Sequence, residues 1–315
     1  MLEYLAIALA SFTSTFLTTK YLIRKFKKKG IVVVDYYKKG RPKVPWMGGL
    51  AILFGIITGI ILSQFLLPSV EKLLIFYFIV ISYALFTLVD DLVDIGRKIK
   101  IIVPFFLAMP IALLNIDTSL SLYFFQIELG AIYTYLIAPL YLMVVANLIN
   151  MHSGFNGLSC GLSIILMIGI AMKVLITYGL DQVYYLIPAL ASTLAFFYFN
   201  RYPSRIFLGN VGSYLLGSTI GGLLILYNME FFGVIILIPH IINFLMFVYS
   251  EWVKGIIKRT TIVAKLRDDG TIEPPAYLTM KWFPAYFFKL KEWQCVLINY
   301  AITIAFVTLA LALNL

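Results

Sequence analysis

Ten apolar stretches, each about as long as a bilayer is thick, limit what this chain can fold into. A helix needs about 20 mostly apolar residues to cross the hydrocarbon core. Such stretches run at about 3–23, 47–67, 72–90, 101–116, 131–149, 157–178, 182–199, 211–228, 231–253 and 294–314. Hydrophobic residues make up 62% of the 315, against roughly 45–50% in soluble domains. The sequence therefore predicts an all-α polytopic membrane protein with about ten transmembrane helices. Little chain is left over, so residues 1–315 are expected to form a single integral membrane domain.

A net charge of +10 would suggest nucleic acid as the partner of a soluble protein. Here the position of the charges matters more than their sum. With the N-terminus outside, residues 24–46, 91–100, 150–156, 200–210 and 254–293 face the cytoplasm, and they hold 22 of the 25 Lys and Arg. Basic residues gather on the cytoplasmic side of membrane proteins, so this placement predicts both termini outside, in a multi-pass protein of the cell membrane. The expected partner of the basic loops is the bilayer, whose anionic headgroups they attract, and not nucleic acid. The first stretch starts beside Glu3 and has its basic cluster, "RKFKKKG", after the apolar run. A secretory signal has the reverse order, so the stretch is read as a retained span. Cys160 and Cys295 fall near cytoplasmic ends of spans, where reduced thiols are expected. Residues 117–130 alternate aromatic and polar side chains, which predicts a small strand pair or an interfacial segment.

The polar motifs concentrate on that same side. In "LVDDLVDIGRKIK" (88–100), Asp90 and Asp94 share a helical face, with Asp91 about 100° round. Asp94 can pair with Lys98 as an ordinary surface pair. Adjacent Asp90 and Asp91 at a membrane boundary repel and desolvate one another, so they call for a cation or a charged ligand. Lys100, opening the next span, is placed to supply charge to a phosphate. In "ANLINMHSGFNGLSCG" (146–161), Asn147 and Asn150 share a face, and Gly154, Asn156 and Gly157 break the helix. Three asparagines in a loop free of Lys and Arg suit a neutral hydrogen-bonding cradle for a base or sugar. In "NRYPSRIFLGNVGSYLLGS" (200–218), Gly209 and Asn210 lead into a helix whose N-terminal amides can hold an anion, with Arg205 nearby. Gly217 and Gly221 form a GxxxG step, expected to serve helix packing. In "DYYKKGRPKVPWMGGLAI" (35–52), Lys38 and Lys39 read as anchors to the inner surface, and Lys43, between two prolines, as the better substrate contact. His152 is expected at a solvent-facing loop and His240 in helix packing; no zinc or Ser-His-Asp pattern is present in the sequence.

Taken together and in this order, these stretches resemble the membrane transferases that move an N-acetylhexosamine 1-phosphate from a UDP-sugar onto a polyprenyl phosphate (glycosyltransferase family 4 type). The likeness is carried by "VDDLVDIGRKIKIIVPFFLAMP", "NLINMHSGFNGL", "YPSRIFLGN" and "INFLMF", over about residues 40–275. Within the family it is greatest to the branch that uses dolichyl phosphate and UDP-N-acetylglucosamine. The resemblance implies a ten-helix enzyme with a cytoplasmic active site that depends on Mg²⁺, with Mn²⁺ as an alternative ion. It implies that Asp90 and Asp91 orient the lipid phosphate and the metal, that Asn150 and Asn210 hold the metal, and that Lys100 binds phosphate. Asn147, Asn156, Gly157, Lys43 and Arg205 would contact the substrates. The implied partners are the UDP-sugar, a polyprenyl or dolichyl phosphate and, optionally, a second copy of the chain. Two positions depart from the family pattern. Gly209-Asn210 replaces the usual Gly-Asp, and the last cytoplasmic loop carries Lys258, Arg259, Lys265 and Arg267 in place of a histidine triplet or a His-Arg motif. Open alternatives are a bacterial-type undecaprenyl-phosphate enzyme and, from another class, an ion-coupled transporter, which would spread polar groups through the middle of several spans.

Overall fold

The computed structural model describes all residues except 94, 97, 123–124, 254–263, 276 and 314–315. The long first helix, α1 (Leu2–Lys29), ends where Gly30 turns left-handed at φ 71°, and its last turn carries Lys27, Lys28 and Lys29 against the negative end of the helix dipole. A short hairpin follows, β1 (Val32–Val34) paired antiparallel with β2 (Lys43–Pro45), Val33 opposite Val44. Next come α2 (Gly49–Leu66), α3 (Glu71–Val93) and α4 (Ile99–Leu107). The strand pair expected in 117–130 is there, as β3 (Ser119–Leu122) and β4 (Phe125–Glu128). Four helices then run in succession: α5 (Ala138–Met151), α6 (Leu158–Tyr178), α7 (Ile187–Asn200) and α8 (Gly209–Leu226). The chain closes with α9 (Glu230–Ile236), α10 (Ile238–Val248), the hairpin β5 (Lys265–Leu266) and β6 (Ile272–Glu273), α11 (Phe283–Phe287) and α12 (Glu292–Ala312).

Among the described residues, seven helices are long and apolar enough to cross a membrane, and eight if the bent pair α9–α10 counts as one span. The two other predicted spans are shorter apolar helices, Ile102–Leu114 and Ile187–Asn200. Proline explains both. Pro104 lies inside α4, whose continuation from Met109 tightens into a 3₁₀ turn, and Pro188 opens α7 after another such turn over Leu180–Tyr185.

Helix α8 is the axis of the bundle. Every residue from Val211 to Ile225 is buried, and α2, α3, α5 and α6 surround it. Its composition permits this, because small residues let backbones approach closely. A Cβ on Gly217 would lie 2.6 Å from Ala146 Cα, and one on Gly49 only 2.2 Å from Gly212 Cα. The GxxxG step thus serves helix packing, as the sequence predicts, and its partner is α5. The chain entering α2 is tied to the chain entering α8: Phe207 N–H donates to Pro45 O, and Gly48 and Gly49 donate back to Phe207 O and Leu208 O, each at 2.8 Å. These bonds, with the packing of α8 on α3 and α5, gather four motifs at one end of the bundle.

Candidate active site

At that end the C-terminus of α3 meets the N-terminus of α8. Asp91 Oδ2 accepts the Val211 N–H at 3.3 Å, and Asn210 lies beside the same carboxylate. The partner oxygen, Oδ1, is shut off from solvent and has no hydrogen-bond partner. Only glycine fits at 209: its φ is +75°, and a Cβ there would lie 2.9 Å from Met47 Cα and 3.3 Å from Asp91 Oδ2. From the third side α5 contributes Asn150, whose Oδ1 accepts the Ser213 Oγ–H at 2.6 Å.

Asn150, Asn210 and Ser213 face a cavity of about 240 Å³. Its apolar walls are Trp46, Phe155 and Phe207, and Ser153 and Gly154 close one side. The site therefore joins an aromatic slot to a cluster of oxygen donors at a positive helix end. Sequence reasoning found the donors and missed the aromatic walls. In a chain with 25 Phe and 21 Tyr, no single aromatic stands out until the fold places it.

The neighbouring Asp90 is nearly fully buried, and its Oδ1 pairs with Lys100 Nζ at 3.0 Å and accepts the Ile95 N–H at 3.2 Å. The cation expected beside the aspartates is thus Lys100 itself. Asp94 and Arg97 lie outside the described residues, as do Lys258 and Arg259.

Five other predicted contacts are not at the cavity. Asn147 spends its side chain inside the bundle, donating to Met143 O and accepting from Tyr214 Oη, both at 2.8 Å. Asn156 is buried and fully bonded: its N–H and Nδ2 donate to Glu292 Oε1 at 2.6 and 2.8 Å, and its Oδ1 accepts the Ser204 N–H at 2.6 Å. Gly157 is a packing position, where a Cβ would meet Arg201 Cα at 3.2 Å. The Arg205 guanidinium stacks over the rings of Tyr198 and Phe199, 4.7 and 4.6 Å from their centres. Lys43 is an exposed residue of β2. Asn147, Asn156 and Arg205 share a cause, since a buried or stacked polar group first satisfies itself within the fold. His152 departs from expectation too. It is buried edge-on against His240 with ring centres 4.7 Å apart, and its Nε2 pairs with Asn299 Oδ1 at 3.2 Å. Both cysteines are free and buried.

A sequence model of glycosyl transferase family 4 matches residues 73–228, which hold Asp90, Asp91, Asn150 and Asn210. A protein of Saccharolobus solfataricus, named as a candidate UDP-N-acetylglucosamine–dolichyl-phosphate N-acetylglucosaminephosphotransferase, is 30% identical over 314 residues, covering 97% of this chain and 95% of its own. The chain belongs to glycosyl transferase family 4. Two bacterial relatives extend the comparison. A candidate undecaprenyl-phosphate N-acetylglucosaminyl 1-phosphate transferase of Bacillus subtilis is 29% identical over 75% of this chain and 67% of its own. A phospho-N-acetylmuramoyl-pentapeptide-transferase of Staphylococcus haemolyticus is 28% identical over 59% of this chain and 63% of its own. As a family 4 member the chain is a transferase enzyme embedded in a membrane.

The donor set fits the Mg²⁺ that the family resemblance implies. Among the described residues no group of three His, Cys, Asp or Glu could hold a metal. Mg²⁺ does not require one: it takes one or two carboxylates and fills its remaining positions with substrate phosphate and water. The unpartnered Asp91 Oδ1, with the amides of Asn150 and Asn210 close by, meets that description.

Proposed function

We propose that this chain transfers N-acetylglucosamine 1-phosphate from UDP-N-acetylglucosamine to a dolichyl-type polyprenyl phosphate and releases UMP, the first step in building a lipid-linked oligosaccharide for protein N-glycosylation. The observation that carries the reading is the meeting of Asp91, Asn210 and Asn150 at the N-terminus of α8, beside an aromatic slot. The names of the relatives supply the substrates. With both termini outside, this end of the bundle faces the cytoplasm, and the positive-inside distribution of Lys and Arg supports that orientation.

The aromatic walls hold the uracil, and the diphosphate lies toward Asp91 and the first amides of α8. Asp91, Asn150 and Asn210 would hold Mg²⁺, which offsets the charge of the diphosphate. An oxygen of the lipid phosphate attacks the sugar-proximal phosphorus. The bond between that phosphorus and the bridging oxygen breaks, and UMP leaves with the bridging oxygen. Such a transfer depends on positioning and charge stabilisation. A phosphate monoester has a second pKa near 6 and is already mostly ionised at neutral pH, so the attack needs no base. Asp90 therefore acts through Lys100, whose ammonium it holds and whose side chain is 32% exposed.

Detergent-purified protein given UDP-N-acetylglucosamine, dolichyl phosphate and Mg²⁺ should release UMP, and release should stop when the lipid is left out. No turnover with any of a panel of UDP-sugars, with Mg²⁺ or Mn²⁺, would refute the reading.

A further inference from the structure

Behind the cavity lies a group of buried charges that the proposed chemistry does not use. Asp35 and Glu292 are 3% and 2% exposed. Lys38 Nζ pairs with Glu292 Oε2 and, at 3.5 Å, with Asp35 Oδ2, and the same ammonium lies 3.9 Å from the centre of the Tyr202 ring. The sequence reading took Lys38 for a surface anchor, but the fold draws it inward. Glu292 opens α12 and Asp35 precedes the loop into β2, so the group joins elements far apart in the chain.

All of these charges converge on the loop between α5 and α6. Glu292 Oε1 accepts both the N–H and the Nδ2 of Asn156, and Asp35 Oδ2 accepts Nδ2 as well, at 3.2 Å. Asn156 Oδ1 in turn holds the Ser204 N–H, on the segment leading to Phe207. Two further bonds pin the loop: Lys281 Nζ donates to Ser153 O at 3.2 Å, and Tyr300 Oη donates to Gly157 O at 2.6 Å. Gly154 has φ +103°, and a Cβ on it would lie 2.5 Å from Lys281 Nζ, so the backbone there rests directly on the ammonium. Ser153, Gly154 and Phe155, the stretch so held, form one wall of the cavity.

Burying an ion pair adds little stability, because desolvation offsets the attraction; what it can supply is a fixed geometry. We propose that Glu292, backed by Lys38 and Asp35, is a positioning residue for the donor nucleotide, holding the loop through Asn156 and so fixing residues 153–155 as a wall of its slot. This rests on the donor being a UDP-sugar bound in that cavity. The lipid phosphate, proposed to bind near Lys100, does not depend on this wall.

The clamp makes the two substrates respond differently. In Glu292→Ala, the Asn156 N–H loses its acceptor and Nδ2 is left with Asp35 Oδ2 alone. The KM for UDP-N-acetylglucosamine should then rise about tenfold or more, equivalent to about 1.4 kcal/mol, while the KM for the lipid stays within about twofold. Glu292→Gln keeps a carbonyl for Asn156, and combining it with Lys38→Met removes one charge of each sign; the pair should recover the donor KM. Hydrogen exchange over residues 152–157 should quicken in Glu292→Ala and slow again in the double variant. An unchanged donor KM in Glu292→Ala would overturn the proposal. So would a parallel rise of both KM values with lower thermal stability and no recovery in the double variant. A wild type with no turnover would refute the donor assignment and the nucleotide role with it, whereas unaltered exchange would refute the clamp itself.

Discussion

Asp91 keeps one carboxylate oxygen on the α8 amides and leaves the other without a partner in a place water does not reach. An unsatisfied buried acceptor costs about 1–3 kcal/mol, which is expected where another group binds in the working state. Asp91→Asn retains an oxygen for Val211 while removing the charge. Activity should fall by a factor of about 10² or more, about 3 kcal/mol of transition-state stabilisation, with the melting temperature in detergent little changed. Intact turnover in that variant would mean that the carboxylate is structural. Asn210 tests the same centre from the other side. Asn210→Asp adds a second carboxylate next to Asp91, so half-maximal activity should need less Mg²⁺ in a titration at fixed UDP-sugar; an unmoved midpoint would place the ion away from residue 210. Asp91 is legible in the sequence, because paired carboxylates at a membrane boundary have few structural reasons to be there, whereas Asn210 stands out only through the family resemblance. Asn156 was legible as important but not in its role, since nothing in "SGFNGLSC" says that Glu292, 136 residues later, will take up its donors.

Elements carry a different kind of information. The ten apolar segments, a strand pair or interfacial segment within 117–130 and a packing role for the GxxxG step follow from composition and spacing; that the step meets α5 does not. The prolines in α4 and α7 shorten the regular helix in ways an apolar count does not register. The junction of α5, α10 and α12 was hidden as well: His152 and His240 look unrelated in the sequence, yet their rings touch. Burial lowers His152 to about 4; the nearby Lys281 ammonium adds to this, and the Asn299 hydrogen bond opposes it. The sign follows from comparing the two states. Between about pH 6.5 and 4 the unfolded chain takes up a proton at this ring and the folded chain does not, so stability falls as the pH drops through that window and levels off below it. The loss from this group is about 3 kcal/mol. Thermal melts from pH 7.5 to 4 should show a shallower decline for His152→Gln than for the wild type; parallel curves would count against a buried neutral ring.

At the scale of the molecule the distribution of Lys and Arg supports the proposed orientation. The end of the bundle that holds Asp91, Asn150 and Asn210 is the end where the basic segments 24–46 and 200–210 lie. Cys160 and Cys295 are buried, so the wild type offers a quiet background for labelling. In intact cells an impermeant maleimide should label Gln126→Cys on β4 and spare Lys28→Cys until the membrane is opened. The reverse pattern would invert the topology and put the site outside.

The central claim is that a sugar leaves its nucleotide with one phosphate attached, and the fate of that phosphate tests it most directly. UDP-N-acetylglucosamine carrying a radiolabel only on the sugar-proximal phosphate should deliver the label to the lipid fraction, mole for mole with unlabelled UMP. Label remaining in the aqueous phase as UDP, with the sugar alone on the lipid, would contradict the account.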